Sequence, residues 1–325
     1  MSVATLPTDK SGRSTTLGVL VNVLLLVNSS ASSVTARARV VIRKALSADH
    51  DVTLAETTRR GHATRLAMGA AASGTDVVVV LGGDGTLNEA ANGLAGTETA
   101  LAPLPGGSTN VFARQLGLPD DPIEATGVLL EALDQGSCRP IGLGVVNGRY
   151  FLFHVGVGFD AALVAQVERR AALKRYAGHA LFAYAGLDTW ARHYDRTRPH
   201  FSVHHADGSV IDDGYMTVVL NTNPYTYVGN RPFNLAPDAT LDRPLTAVTV
   251  RSLRSLRFLR LMASALGNGA RLRTSRWVDY RPDVSQLTIR GFGPFPYQVD
   301  GDYLGEIDEL EFRHEPDALR LVTPV

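Results

Sequence analysis

One cysteine, Cys138, stands in 325 residues, so neither an internal disulfide nor a thiolate zinc cluster can form, and a reducing interior is the simple reading. The nine histidines are scattered, with no HExxH or comparable ligand pair. Excess charge of one sign is missing too: lysine plus arginine and aspartate plus glutamate both count 32. A balanced chain gives no electrostatic reason to expect nucleic acid as a partner. Membrane-spanning apolar runs are also lacking; the longest near the start, Leu17 to Val27, is broken by Asn22. It has no basic flank with a small-residue cleavage site behind it, which argues against a secretion signal. These absences lead to the expectation of a soluble, cytoplasmic protein, attached to a membrane from one side at most. With 45% hydrophobic residues, the chain can bury cores for two domains.

What the sequence does have is concentrated at Val77-Val78-Val79-Val80-Leu81-Gly82-Gly83-Asp84-Gly85-Thr86-Leu87-Asn88-Glu89. Five unbroken apolar residues read as a strand buried on both faces. Three glycines then cross a turn and a helix opens. Backbone N–H groups without neighbouring Cβ atoms, at the positive end of a helix, suit phosphate. The pattern is neither a Walker loop nor GxGxxG. Asp84 would repel a phosphate unless a cation or a donor intervened, so it reads as working through Mg²⁺ or a ribose hydroxyl. An Asp-Gly turn with no ligand is the plainer alternative.

Residues 1–16 are polar and rich in Ser and Thr, the composition of a disordered tail. Strands over Gly18 to Val27, Asp51 to Leu54, Val77 to Leu81 and Ala100 to Leu104 alternate with helical spacing, which implies a parallel sheet covered on both faces. Ligands then belong at the carboxyl ends of the strands, where the Asn28, Thr57 and Gly82 turns converge. Pro105-Gly106-Gly107-Ser108-Thr109-Asn110 is a further glycine turn, with Ser108 and Thr109 placed either to cap the next helix or to hold phosphate. Near Cys138 the texture changes, and from Ile141 alternating runs suggest antiparallel strands, interrupted by helical segments over 160–192 and 253–266.

Three further stretches carry two readings each. Gly156-Val157-Gly158-Phe159-Asp160-Ala161 has the letters of a dinucleotide loop in the wrong surroundings, so a close packing turn is preferred. The basic stretch Glu168 to Tyr176, with Phe182, Tyr184 and Trp190 behind it, suits an anionic membrane surface or a solvated helix face. Arg251, Arg254, Arg257 and Arg260 recur among leucines with the same ambiguity. Asp300-Gly301-Asp302 places two carboxylates at a turn, suited to general-base or metal duty, or to hairpin chemistry alone.

Together, GGDGTLNE at 82–89, PGGSTNVFA at 105–113, GVGFDA at 156–161 and VDGD at 299–302 resemble the diacylglycerol kinase catalytic-domain family, from about Val19 to Val325. The resemblance implies an N-terminal Rossmann-like α/β nucleotide domain (17–138), onto which 315–325 return. It also implies a C-terminal antiparallel β-sandwich-type domain (139–314) that takes the lipid, with the active site in the cleft. The activity implied is ATP-dependent phosphorylation of a lipid hydroxyl, of diacylglycerol type, at the membrane surface. By matching position, Asn28, Thr57, Gly82, Gly83, Asp84, Gly85, Thr86, Asn88, Glu89, Gly107, Ser108 and Thr109 would bind ATP. Asp302 falls at the place of the proton-accepting carboxylate, Asp300 would support it, and Asp84 and Glu89 would organise nucleotide and Mg²⁺. Two departures stand out: Ser29-Ser30-Ala31-Ser32 replaces the usual proline and glycine after Asn28, and Arg243 stands where relatives hold a structural Mg²⁺. That metal site is expected to be absent unless Asp242 turns inward. The rival expectations are a nucleotide- or lipid-binding homologue without catalysis, and an NAD kinase, which shares GGDGT. A homodimer is among the assemblies left open.

Overall fold

Alternate residues of two neighbouring strands face opposite cores. Val23, Leu25, Val77 and Val79 join the cluster that takes Ile42 and Leu129, whereas Leu24, Leu26, Val78 and Val80 join the one that takes Ala67 and Ala90. A strand apolar on both faces must be covered on both, which is why these strands sit at the centre of a layered α/β unit. The computed structural model describes residues 20–169, 186 and 188–325. The polar tail 1–16 and most of the basic, aromatic stretch after Glu168 lie outside the described residues.

The first half runs β1 (Asn22–Val27), α1 (Ala36–Leu46), β2 (Asp51–Glu56), α2 (His62–Ala72), β3 (Val77–Gly82), α3 (Asp84–Leu94), β4 (Ala100–Pro105), α4 (Val111–Gln115) and α5 (Pro122–Asp134). All six residues of β3 and of β4 are buried. The strands pair in parallel in the order β2-β1-β3-β4. The direction of winding therefore reverses between β1 and β3, and such a reversal opens a crevice at the carboxyl ends of those two strands.

After α5 the strands become antiparallel. They are β5 (Cys138–Val146), β6 (Arg149–Phe151), β7 (His154–Gly158), β8 (Phe201–His205), β9 (Val210–Gly214), β10 (Met216–Leu220), β11 (Thr226–Val228), β12 (Arg231–Phe233), β13 (Leu245–Val250), β14 (Val278–Val284), β15 (Gln286–Val299) and β16 (Asp302–Val322). Helices α6 (Phe159–Arg169), α7 (Ser255–Ala265) and α8 (Ala270–Thr274) interrupt them. The architecture is thus the mixed one expected, parallel strands with helices followed by antiparallel strands. No described helix is long and apolar enough to cross a membrane.

One element joins the halves. β16 is 21 residues long; it pairs antiparallel with β15 over Asp302–Arg313 and with β5 over Phe312–Val322. Its register shifts between Glu315 and Leu319, with Asp317 in the left-handed region at φ 52°. Such a bulge bends a strand, and beyond it Arg320 and Leu321 lie parallel to Ala100 and Leu101 of β4. The composition change near 136–141 is therefore no break in the sheet, since Cys138 itself pairs with Val322. Leu321 is fully buried in the core that β1, β3 and β4 share with α2 and α3. Leu321→Ala is expected to cost about 2–5 kcal/mol in urea unfolding; a loss under about 1 kcal/mol would show that the returning strand is not integral to that core.

Candidate active site

The turns after β1, β2, β3 and β4 meet at the crevice. Asn28 donates its backbone N–H to the Leu81 carbonyl (3.0 Å), and its side-chain amide donates to Thr86 Oγ1 (2.9 Å). Its side-chain oxygen accepts from the N–H and hydroxyl of Ser30. Ser33 donates to the carbonyls of Gly106 and Gly107, through its N–H and its hydroxyl. Polar bonds thus fix a loop that has neither of the rigid or permissive residues expected there. Thr57, at the end of β2, is held by its N–H on the Val27 carbonyl.

The glycines serve two different ends. A Cβ on Gly107 would lie 2.8 Å from Gly83 Cα, and one on Gly106 would lie 2.8 Å from Gly82 N, so these glycines let the two turns touch. At Gly85 a Cβ would meet nothing within 4 Å, so this position faces open space.

The helix starts around the crevice are capped by an unusual exchange. Thr35 and Asp121 cap α1 and α5 in the ordinary local way. The start of α4 is capped from α3: the Asp84 carboxylate accepts from the N–H groups of Val111 (3.0 Å) and Phe112 (3.3 Å). The start of α2 is capped likewise, with Glu89 accepting from Gly61 (2.8 Å) and Ala63 (3.2 Å). Yet α3 itself begins at Gly83 with no side-chain cap. The N–H groups of Asp84 and Gly85 have no acceptor within the helix, and no described side chain takes them. Two acidic side chains of α3 thus serve its neighbours while its own positive end stays open. Burial pushes the Asp84 carboxyl up, against the two N–H bonds that lower it.

Asp84 and Glu89, expected to organise nucleotide and Mg²⁺, are here both engaged at helix starts. Ser108 and Thr109 do not cap α4 either. Asn110, left-handed at φ 48°, precedes the helix and closes the turn on Gly107 in both directions. Asn88 is buried rather than turned to the crevice mouth; its amide donates to Asp300 Oδ2 (2.5 Å) and to the Tyr150 carbonyl (3.3 Å). Among the described residues no three His, Cys, Asp or Glu side chains gather as a metal site. Arg243 pairs with both oxygens of Asp283, and Asp242 pairs with Arg139 instead of turning inward.

The acidic turn between β15 and β16 is held from four directions. Asp300, left-handed at φ 50°, accepts from the N–H groups of Leu152, Phe153 and His154 as well as from Asn88. Gly301 donates its N–H to Gln298 Oε1, and Gln298 donates its amide to buried Asp160. Tyr303 donates its N–H to Glu168 at the end of α6. A Cβ on Gly156 would fall on the Asp160 carboxylate, so the glycine of GVGFDA makes room for the acid of the same motif. Asp160 thus acts on the turn through Gln298, a role that the motif read alone does not disclose.

With those contacts made, the Asp302 carboxylate meets Arg60 at 2.5 Å, and the carboxylate raises the pKa of that arginine. Arg60 was no candidate from the sequence. The signal for it was a cation next to Gly61 in a turn already assigned to the crevice. The pair links the β2–α2 turn of the first half to the acidic turn of the second. Gly61, its neighbour, is bonded to Glu89 of α3, and Asn88 of α3 is bonded to Asp300, so the acidic turn is tied to the helix whose start is open.

The chain is also similar in sequence and fold to known proteins. Residues 22–146 match the sequence model of the diacylglycerol kinase catalytic domain. The chain is 37% identical over 307 residues to a Pseudomonas aeruginosa (strain UCBPP-PA14) protein named "Probable lipid kinase YegS-like", covering 93% of each. It is 32% identical over 231 residues to the diacylglycerol kinase of Bacillus subtilis (strain 168), covering 70% of this chain and 72% of that one. A crystal structure of a diacylglycerol kinase from Bacillus anthracis (strain Sterne) has the same fold, with a TM-score of 0.65 at 20% identity over 93% of this chain and 96% of that one.

Two outcomes are expected from the buried groups. Asp84→Asn removes a charged acceptor from the α4 start and should lower stability by about 1–2 kcal/mol in urea unfolding; an unchanged midpoint would free Asp84 from the capping role. Burial depresses His154 to about 3 from 6.5, so the folded state refuses a proton that the unfolded chain accepts, and stability is lost as pH falls through that window. Burial pushes Asp300 up to about 7 from 3.8, so stability is lost as pH rises through its window. The two slopes oppose each other. His154→Phe removes the first, so the variant should gain on the parent by about 1 kcal/mol per pH unit as pH falls below about 6.5. A midpoint difference that stays constant across that range would refute the assignment.

Proposed function

The chain belongs to the diacylglycerol kinase catalytic-domain family and is by that membership a lipid kinase; we propose that it carries the γ-phosphate of ATP to the hydroxyl of a diacylglycerol-type lipid. The single observation that supports ATP most strongly is the uncapped start of α3 at the reversal point of the sheet. Free N–H groups at the positive end of a helix, beside a glycine facing open space, are suited to phosphate oxygens. The Asn28 and Ser108 turns flank that start and offer hydroxyl and amide donors.

Phosphoryl transfer asks chiefly for positioning and charge neutralisation. The acceptor hydroxyl enters from the side of the antiparallel strands; Asp302 takes its proton as the oxygen bonds to the γ-phosphorus, and the bond from that phosphorus to the bridging oxygen breaks so that ADP leaves. Asp300, Gln298 and Glu168 hold the turn while Asp302 changes partner. Arg60 gives up Asp302 at that moment and is left as a free cation beside the acidic turn. The two side chains are 67% and 35% exposed, so their pairing is weak enough to break, on the order of 1 kcal/mol or less. Mg²⁺, if bound with the triphosphate, would supply neutralisation of the phosphate charge.

The test is labelled ATP with total membrane lipids, and with NAD in a parallel sample. Asp302→Asn should lower lipid phosphorylation about 10²–10⁴-fold with an unchanged urea midpoint. Undiminished transfer by that variant would remove Asp302 from the reaction. Phosphorylation of NAD instead of lipid would replace the lipid-kinase reading, and ATP binding without any transfer would indicate a homologue that has lost catalysis.

A further inference from the structure

Helix α7 has two apolar faces, and only one of them meets the core. Phe258, Leu261 and Ala265 are buried, as a helix resting on a sheet requires. Leu256 and Leu259, one turn apart on the other side, are 62% and 63% exposed. Singly exposed leucines are ordinary, but these two stand among cations. Arg254, Arg257 and Arg260 come from the same helix start, and Arg196 faces them across an open groove of about 720 Å³. None of the four arginines makes an ion pair among the described residues. Arg196 and Arg257 lie flat on the rings of Trp190 and Trp277. The carboxylate in the groove lining, Asp195, is already engaged by Arg198 and Thr197.

This arrangement has a local cost. The first turn of α7 holds no acidic residue, and positive charge there opposes the helix dipole. The groove therefore gathers cations without an internal partner around exposed leucines. An anionic surface with an apolar layer beneath it satisfies both at once, the arginines at the phosphates and the leucines among the acyl chains.

We infer that the face of α7 bearing Leu256 and Leu259, with Arg196, Arg254, Arg257 and Arg260, docks on an anionic phospholipid bilayer. Its position links docking to the crevice. Phe258 packs edge-on against Phe159, the first residue of α6, with ring centroids 5.3 Å apart. The other end of α6, about 14 Å away by helix rise, is Glu168, which holds Tyr303 beside Asp302. A bilayer held at α7 is thus one rigid helix away from the acidic turn. The inference goes beyond the kinase reading and needs no turnover to be tested.

The experiment is co-sedimentation of the full chain with vesicles of phosphatidylcholine alone, and with vesicles in which phosphatidylglycerol replaces part of it. The protein should sediment with the second kind only, and added salt should release it. Arg254→Glu combined with Arg260→Glu should weaken that binding at least about tenfold, since each cation near an anionic surface contributes about a factor of five. Leu256→Ser combined with Leu259→Ser should weaken it as well, and neither pair should lower the urea midpoint, since all four side chains are exposed and Arg254→Glu relieves the unfavourable charge at the helix start. Equal sedimentation with both vesicle types, binding to neither, or unaltered binding by the arginine variant would overturn the proposal. So would a concentration-dependent dimer that the leucine variant abolishes, since the face would then belong to a second copy of the chain. Because sedimentation reads binding and labelled ATP reads transfer, either can fail without the other.

Discussion

An uncapped helix start is the constraint from which the crevice is built. Leaving α3 without a side-chain acceptor gives up on the order of 1 kcal/mol that Thr35 and Asp121 secure for α1 and α5. The residues to cap it are not lacking, because α3 carries Asp84 in its first turn and Glu89 in its second. Both are committed elsewhere, Asp84 to the start of α4 and Glu89 to the start of α2. The exchange ties three helices together around one point and keeps that point positive. It also keeps negative charge out of the place where phosphate oxygens would sit, which answers the difficulty of a carboxylate inside a phosphate turn.

The second constraint is the long return of the chain. An acidic turn far along the sequence can reach a first-half helix only if a strand carries it there and its orientation is set. β16 supplies the connection, bending at Asp317 to join β4. Orientation comes from Asp300, which collects three backbone N–H groups and the Asn88 amide in a buried setting. Its neighbour Asp302 is treated in the opposite way, part-exposed and paired, among the described residues, with an exposed arginine. Within one three-residue turn, one carboxylate is fixed and the other is left able to change partners.

Elsewhere polar contacts occupy places where the family resemblance led to other devices. The Asn28 loop has serines in place of proline and glycine, and it is fixed through Ser30 and Ser33 instead. Arg243 stands where a metal-binding carboxylate was expected, and its pairing with Asp283 ties its loop to β14. Ion pairs of this exposed kind contribute little individually, so their effect is to choose a loop conformation more than to raise stability.

Much of this was determined by the sequence alone. Apolar runs at Val77 and Ala100, the glycine turns after them and the alternation beyond Ile141 specify local structure, because burial on one or two faces imposes its own period on the chain. The position of the crevice followed, since strand ends and helix starts are local facts. What Asp84, Glu89, Asn88 and Asp160 do was decided only by tertiary structure. Each is a polar side chain near a turn, equally able to face a ligand or a neighbouring backbone. The choice depended on which N–H groups the packing left unpaired within reach. Arg60 became a partner of Asp302 for the same reason: their separation in the chain is large, and only the sheet that β16 completes brings the two together.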